Sequence, residues 1–388
     1  MPSLVRDPAS DADHTVADDL DIRHRSAKTG SMPHQTKRRV YRALLALAGL
    51  VAVAIGTFAL PVRTWRTGEV DHAGFPASPS DAKTPERLWI DTDPACGHGP
   101  RSDPDDCFAL FALARSKGIE IAGVSTVFGN AGIDVTDAIA RDLAARLAAA
   151  GHPLPPIFRG AGATSDAGSP ASAALASALE SDPLTILALG PLTNIADALR
   201  SDPSLAARLE RVIAVMGRHP GHLFHPSEGR GDGVLFGHGP IFSDLNFRKD
   251  PKAVDFLLST KVPLTLIPYE AARDAMVTPD DLGRIAASGS VGVWIVQGAA
   301  GWMDYWQDEV GLDGFYPFDL VAAQYVLSPG AFQCAGGTAT VDFGWAPDWL
   351  WVIDDAGLFV RPGAVSENGR PVTYCPTLDG ADVSLLAE

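Results

Sequence analysis

Positive charge is what this chain has least of: 31 Lys and Arg stand against 47 Asp and Glu, a net charge of -16 in 388 residues. So acidic a surface repels polyanions, which excludes nucleic acid as a partner. Cysteine is also scarce. The four present, Cys96, Cys107, Cys334 and Cys375, are too few to scaffold a chain of this length through disulfides. Internal repeats are absent, which leaves one domain over residues 87–388 rather than a stacked array. Apolar material is ample, at 46% of residues, so that domain can bury a core.

One stretch lacks charge altogether, from Ala43 to Val62, and Lys37, Arg38, Arg39 and Arg42 precede it. Twenty helical residues span roughly 30 Å, the thickness of a bilayer's hydrocarbon. Residues 37–62 therefore read as a signal peptide or a signal-anchor helix in the membrane. The basic flank stays in the cytoplasm, so the rest of the chain is exported: anchored and facing outward, or secreted or periplasmic if the segment is cleaved. Residues 1–36 read as a disordered tail or an overextended start, and 63–86, rich in Pro, Ser, Asp and Thr, as a linker. Export permits disulfides, with Cys96–Cys107 and Cys334–Cys375 the first pairings to test.

From residue 87 the pattern alternates. Strands are predicted at Leu88–Ile90, Ile119–Val127, Ile157–Phe158, Thr185–Leu189, Val212–Met216 and Leu264–Ile267. Helices fall between them at Asp106–Arg115, Asp134–Ala149, Ala171–Glu180, Asn194–Leu199 and Pro251–Leu258, and later at Pro279–Ala287, Val291–Tyr305 and Asp319–Val326. A long Gly- and His-rich loop covers 217–243, and a hairpin-like tail runs from Thr338 to Val360. The fold class is α/β, an open and mainly parallel sheet with helices on both faces, preceded by one N-terminal hydrophobic helix. Ligands in such folds bind at the strand carboxyl ends.

Asp91 and Asp93 sit at one such end, and Asp105 and Asp106 open the helix that follows. An acidic pair at a helix start is by itself an ordinary cap. Four carboxylates together either raise their pKa values or call for a cation, and oxygen donors suit calcium or magnesium.

Six blocks in order resemble the inosine-uridine preferring nucleoside hydrolase family: the aspartate cluster Asp91 to Asp106; Val127 to Asn130; Leu189 to Ala196; Val215 to Gly217; Asp244 to Pro251; and Phe318 to Ala323. The resemblance implies hydrolysis of the N-glycosidic bond of ribonucleosides to free base and ribose. It implies that Asp93, Asp106, the Thr193 carbonyl and Asp319 hold Ca2+, with Asp93 the general base toward a metal-activated water. Asp91, Asp105, Asn130, Met216, Asp244 and Asn246 would serve the substrate, Asp91 by supporting Asp93 and the rest around the sugar. The small-molecule nucleoside is the partner implied, and a homo-oligomer is common in the family.

The chain departs from the family at three places. Phe318 occupies the position of a leaving-group histidine. The replacement is open between a loop histidine (His219, His222, His225 or His238) and stacking by Trp302, Tyr305 or Trp306. A histidine-glycine block expected between 160 and 181 is missing. Ten residues, Ala95 to Pro104, are inserted within the aspartate cluster; strand and helix still present both aspartate pairs if this loop bulges outward, with Cys96 and Cys107 stapling its ends. Two other readings remain: a magnesium phosphohydrolase using Asp91 and Asp93, and a non-catalytic nucleoside-binding ectodomain.

Overall fold

A computed structural model describes residues 44–51, 78–164, 167–219, 243–343, 356–362 and 369–379. Residues 1–56 and 57–388 are separate units. In the first, residues 44–51 form helix α1, with Leu44, Leu45, Leu47 and Leu50 exposed. The remainder of the apolar run, its basic flank, the N-terminal tail, the linker up to 77 and most of the 217–243 loop lie outside the described residues. Among those described, no helix is long and apolar enough to cross a membrane.

The second unit is built on a ten-stranded sheet. Its strands are β1 (Ser78–Pro79), β2 (Arg87–Thr92), β3 (Glu120–Thr126), β4 (Ile157–Arg159), β5 (Leu184–Ala188), β6 (Leu209–Val215), β7 (Leu264–Ile267), β8 (Phe332–Phe343), β9 (Ala356–Pro362) and β10 (Arg370–Leu378). Their order is β1-β8-β10-β7-β6-β5-β2-β3-β4, with β9 pairing β8. Every neighbouring pair from β10 to β4 is parallel, and β8 is antiparallel to β1, β9 and β10. The chain winds outward in opposite directions from β2 and β5, so the crevice at their carboxyl ends is the topological switch point where such sheets bind ligands.

Helices α2 (Asp105–Arg115), α3 (Ile133–Ala149), α4 (Pro170–Ser181), α5 (Thr193–Ser201), α6 (Leu245–Lys249), α7 (Pro251–Ser259), α8 (Tyr269–Ala272), α9 (Pro279–Ala287), α10 (Ser290–Tyr305) and α11 (Phe318–Leu327) cover it. Strand residues alternate between the faces because the side-chain period is two. Leu88 and Ile90 join one core with Phe108, Leu143, Ile295 and Leu320. Trp89 between them joins the other, with Leu175, Ile186, Ile195 and Val254. Trp89 fits because its neighbour on β3 is Gly123, where a Cβ would fall 2.3 Å from the indole ring. Helix α2 buries every residue from Asp105 to Leu113, since α11 packs on the side that the sheet leaves open.

Three expectations need correcting. The last residues of the predicted linker are part of the sheet: Ser78 and Pro79 pair with β8, and the Ser80 amide donates to Phe332 O at 2.8 Å. The tail holds a hairpin of β8 and β9, but β10 also enters, between β8 and β7. Its prolines disguise it. Pro376 falls where the β8–β10 register shifts, between Tyr374 and Thr377, and so removes no needed ladder bond. Finally, Trp306–Val310 extends α10 by a π-turn ending at Gly311 (φ 77°).

Candidate active site

The β2 strand delivers Asp91, Thr92 and Asp93 to the crevice fully buried, and α2 brings Asp105 and Asp106 to meet them. The Asp93 amide donates to Asp106 Oδ1 at 3.0 Å, and the Thr92 hydroxyl donates to the same oxygen. Asp105 braces the cluster. Its Oδ1 accepts the Asp106 amide at 3.0 Å and its Oδ2 the Asp319 amide at 2.9 Å, tying α2 to α11.

Asp93 is held by shape as much as by bonds. Gly129 and Gly190 flank its carboxylate, and a Cβ at either would lie 1.8 Å from Oδ2 or 2.8 Å from Oδ1. The Asn130 amide donates to Asp93 Oδ2 at 2.7 Å, while Oδ1 is buried with no partner among the described residues. Asn130 Nδ2 reaches Asp106 Oδ2 at 3.2 Å. Beneath, Asp91 Oδ1 accepts from Ser125 and, at 2.8 Å, from Asn194 Nδ2. Asn194 also donates to Thr126 O and accepts from the Ala161 amide, bolting the β5–α5 turn to β2 and β3.

So many acids in one dry place oppose each other's charge. Burial, then Asp106, holds the Asp93 carboxyl well above the usual carboxylate range. Burial, then Asp105, does the same to Asp319. Asp106 is raised to about 6 by burial and Asp105, and Asp91 to about 7 by burial, against the bonds from Ser125 and Asn194. A divalent cation would remove the conflict. Asp105, Asp106 and Asp319 each offer an oxygen, all within 4.8 Å of one another. With ligand distances of about 2.3–2.6 Å, oxygens of one shell can be that far apart, so a hard ion fits this donor set. The trio shares Asp106 and Asp319 with the expected ligands. Asp93 adds its unpartnered Oδ1, and Thr193 is buried at the start of α5 with its hydroxyl on Asp250 at 2.7 Å.

Over the acids opens a cavity of about 310 Å³, lined by Asp105, Asn130, Met216, Asp244, Asn246 and Asp319 together with Tyr269, Trp302, Phe318 and Arg101 to Asp103. Asp244 caps α6, accepting from the Gly217 and Phe247 amides at 2.7 and 3.1 Å. Asn246 Nδ2 is spent on Leu189 O and Val215 O at 2.6 and 2.9 Å, which fixes the floor. Phe318 stacks on Tyr269, centroids 5.4 Å apart. Of the leaving-group candidates, Trp302 lines the cavity; Tyr305 lies outside its lining, and Trp306 is sealed in the core against Tyr316. His219 is also outside the lining, its amide donating to Glu270 at 3.1 Å; His222, His225 and His238 lie outside the described residues.

The insertion leans on α10, with Gly97, His98, Pro100 and Arg101 left exposed. Gly97 N donates to Gly298 O at 3.1 Å, and Pro100 rests where a Cβ on Gly301 would fall 2.8 Å away. Two glycines one turn apart on α10 let the loop backbone lie against the helix, and both disulfides, Cys96–Cys107 and Cys334–Cys375, form. Sequence reasoning missed Asp103, Tyr269 and Asn194. For Asn194 the signal was present, a polar residue just after a buried strand.

Residues 88–345 match the family model for inosine-uridine preferring nucleoside hydrolase. The chain belongs to this family. Among curated members it is 25% identical to uridine nucleosidase 1 of Arabidopsis thaliana over 66% of this chain and 78% of that one. It is 22% identical to the pyrimidine-specific ribonucleoside hydrolase RihB of Escherichia coli, over 71% and 90%. The fold is that of the plant nucleoside hydrolase PpNRh1, at TM-score 0.62 and 21% identity over 78% of this chain and 98% of that one. Family membership makes the protein a hydrolase acting on the N-glycosidic bond of ribonucleosides, and the nucleoside hydrolase fold accounts for the sheet and its crevice.

Proposed function

We propose that this hydrolase uses calcium and takes its general base from Asp93. The observation that carries the reading is the Asp93 carboxylate: one oxygen fixed by Asn130, the other buried above the switch point without a partner among the described residues. Calcium held by Asp93, Asp106, Asp319 and the Thr193 carbonyl would supply a positive field that favours deprotonation of a nearby water and offsets the acids' repulsion. Asp93 Oδ1 takes the water's proton, Asp105 and Asp91 keep the donors in register, and Asn130 and Asp244 face the ribose hydroxyls. Water's oxygen bonds to C1′ as the C1′–N bond breaks and its electron pair leaves with the base. Because two relatives are named for uridine or pyrimidine nucleosides, uridine is the first substrate to try.

A phosphohydrolase would need Asp91 as an exposed nucleophile, with Asp93 as its acid. Asp91 is fully buried and held from two sides, which disfavours it. Non-catalytic nucleoside binding is favoured by Phe318 and by the missing histidine-glycine block, while the retained acid cluster argues for turnover. Ribose release from a nucleoside panel, before and after chelation and calcium return, tests the proposal: chelation should abolish release and calcium restore it, and turnover indifferent to the chelator would refute it. We further place the enzyme outside the cytoplasm, tethered or released by residues 37–62; two bridged cysteine pairs suit an oxidising compartment.

A further inference from the structure

Breaking the C1′–N bond leaves an electron pair on the base, and something must accept that charge. Phe318, beside Asp319 in the cavity wall, has no proton to give. The cavity offers another group. Among its described lining residues Arg101 is the one cation, and it stands on the inserted loop. The Cys96–Cys107 bridge closes that loop onto the first turn of α2, one residue after Asp106. Contacts at Gly298 and Gly301 set its other side on α10. At the cavity mouth the Arg101 side chain is 64% exposed and is tethered by Glu309, which accepts from Nη2, and by Tyr305, whose ring centroid lies 5.2 Å from the guanidinium carbon. One nitrogen is thereby engaged in a group with five N–H donors. Trp302, in the same wall, is nearly buried, and its indole nitrogen is turned away from the open space.

We propose that Arg101 is a catalytic residue that receives the departing nucleobase, stabilising its negative charge in place of a proton donor. The inference rests on the hydrolase reading above. The ligand chemistry it selects is a base with ring carbonyl oxygens, over which the charge spreads when the C1′–N electrons arrive. A guanidinium stays charged and hydrogen-bonds such oxygens in its plane. The base then leaves as an anion, takes a proton from solvent outside the site, and the proton that water lost stays on Asp93 until product leaves.

The test compares uridine with 4-nitrophenyl riboside, whose leaving group departs as a stable anion without help. Arg101→Ala and the isosteric Arg101→Gln, each checked for an unaltered thermal midpoint, should lose at least tenfold more kcat on uridine than on the nitrophenyl riboside. Preorganised donors to a developing anion are worth about 10²–10³ in kcat where buried, and less for a side chain as exposed as Arg101. Equal losses on the two substrates would make Arg101 structural and overturn the assignment, as would full uridine turnover in both variants. Wild type inactive on both substrates would overturn the hydrolase reading itself.

Discussion

Gly129→Ala is the sharpest probe of how the catalytic carboxylate is held. The new Cβ would start 1.8 Å from Asp93 Oδ2, 2.8 Å from its Cγ and 3.0 Å from Pro191 Cδ. Real Cβ contacts do not fall below 3.0 Å, so carboxylate and turn must part by about 1.2 Å, breaking the 2.7 Å bond from the Asn130 amide. A misplacement of about 1 Å at a reacting group costs on the order of 10²-fold in rate. Overpacking of this size costs about 1–3 kcal/mol in stability, which a domain can survive. Ribose release from uridine should therefore fall about a hundredfold in kcat while circular dichroism shows a folded protein with a lowered melting point. Gly132→Ala, three residues on, meets nothing within 4 Å and serves as the control. A Gly129→Ala enzyme within threefold of wild type would refute the wedge.

Other consequences can be measured with the same protein. Without metal, Asp91, Asp93, Asp106 and Asp319 have folded pKa values above the unfolded one, so the folded state holds protons that the unfolded chain gives up; its stability is greatest below about pH 4 in this respect and falls as pH rises through 6 and 7. Calcium competes with those protons, so its stabilisation, about 2.7 kcal/mol at a hundredfold excess over Kd, should be larger at pH 8 than at pH 5.5 in thermal melts; the reverse order would contradict the site. Asn194→Ala strands the Ala161 amide and Thr126 O and removes a donor from Asp91, at about 1–3 kcal/mol for each buried group left unpaired, readable in urea titration. Replacing Cys334 and Cys375 by Ser opens a 41-residue separation and should cost about 4 kcal/mol by chain entropy, against about 3 for the 11-residue Cys96–Cys107 pair; a larger loss for the shorter loop would mean that the native contacts, not the unfolded chain, dominate.

The parallel core and the aspartate cluster were legible because apolar runs of strand length end in acids, and a parallel sheet presents those ends on one side. Even the glycines of two motifs, Gly129 and Gly190, have a physical reason that position alone hides: they are the walls of the Asp93 slot. What could not be read depends on distance along the chain. Glu270 meets Tyr374 at 2.9 Å across 104 residues, anchoring α8 and with it Tyr269 to a strand that prolines disguised. The insertion's placement was hidden for a related reason. Its docking on α10 depends on Gly298 and Gly301, two hundred residues away and unremarkable within an apolar helix.

The central claim, that Asp93 activates water against a ribonucleoside, is tested most directly by reducing-sugar release from uridine in calcium with wild type and Asp93→Asn side by side. The substitution keeps the shape that fits between Gly129 and Gly190 but accepts no proton. Wild type should release ribose and uracil in equal amounts, and Asp93→Asn should bind uridine yet turn over at least a thousandfold more slowly. A wild type that binds uridine without releasing ribose, or an Asp93→Asn enzyme as fast as wild type, would contradict the account.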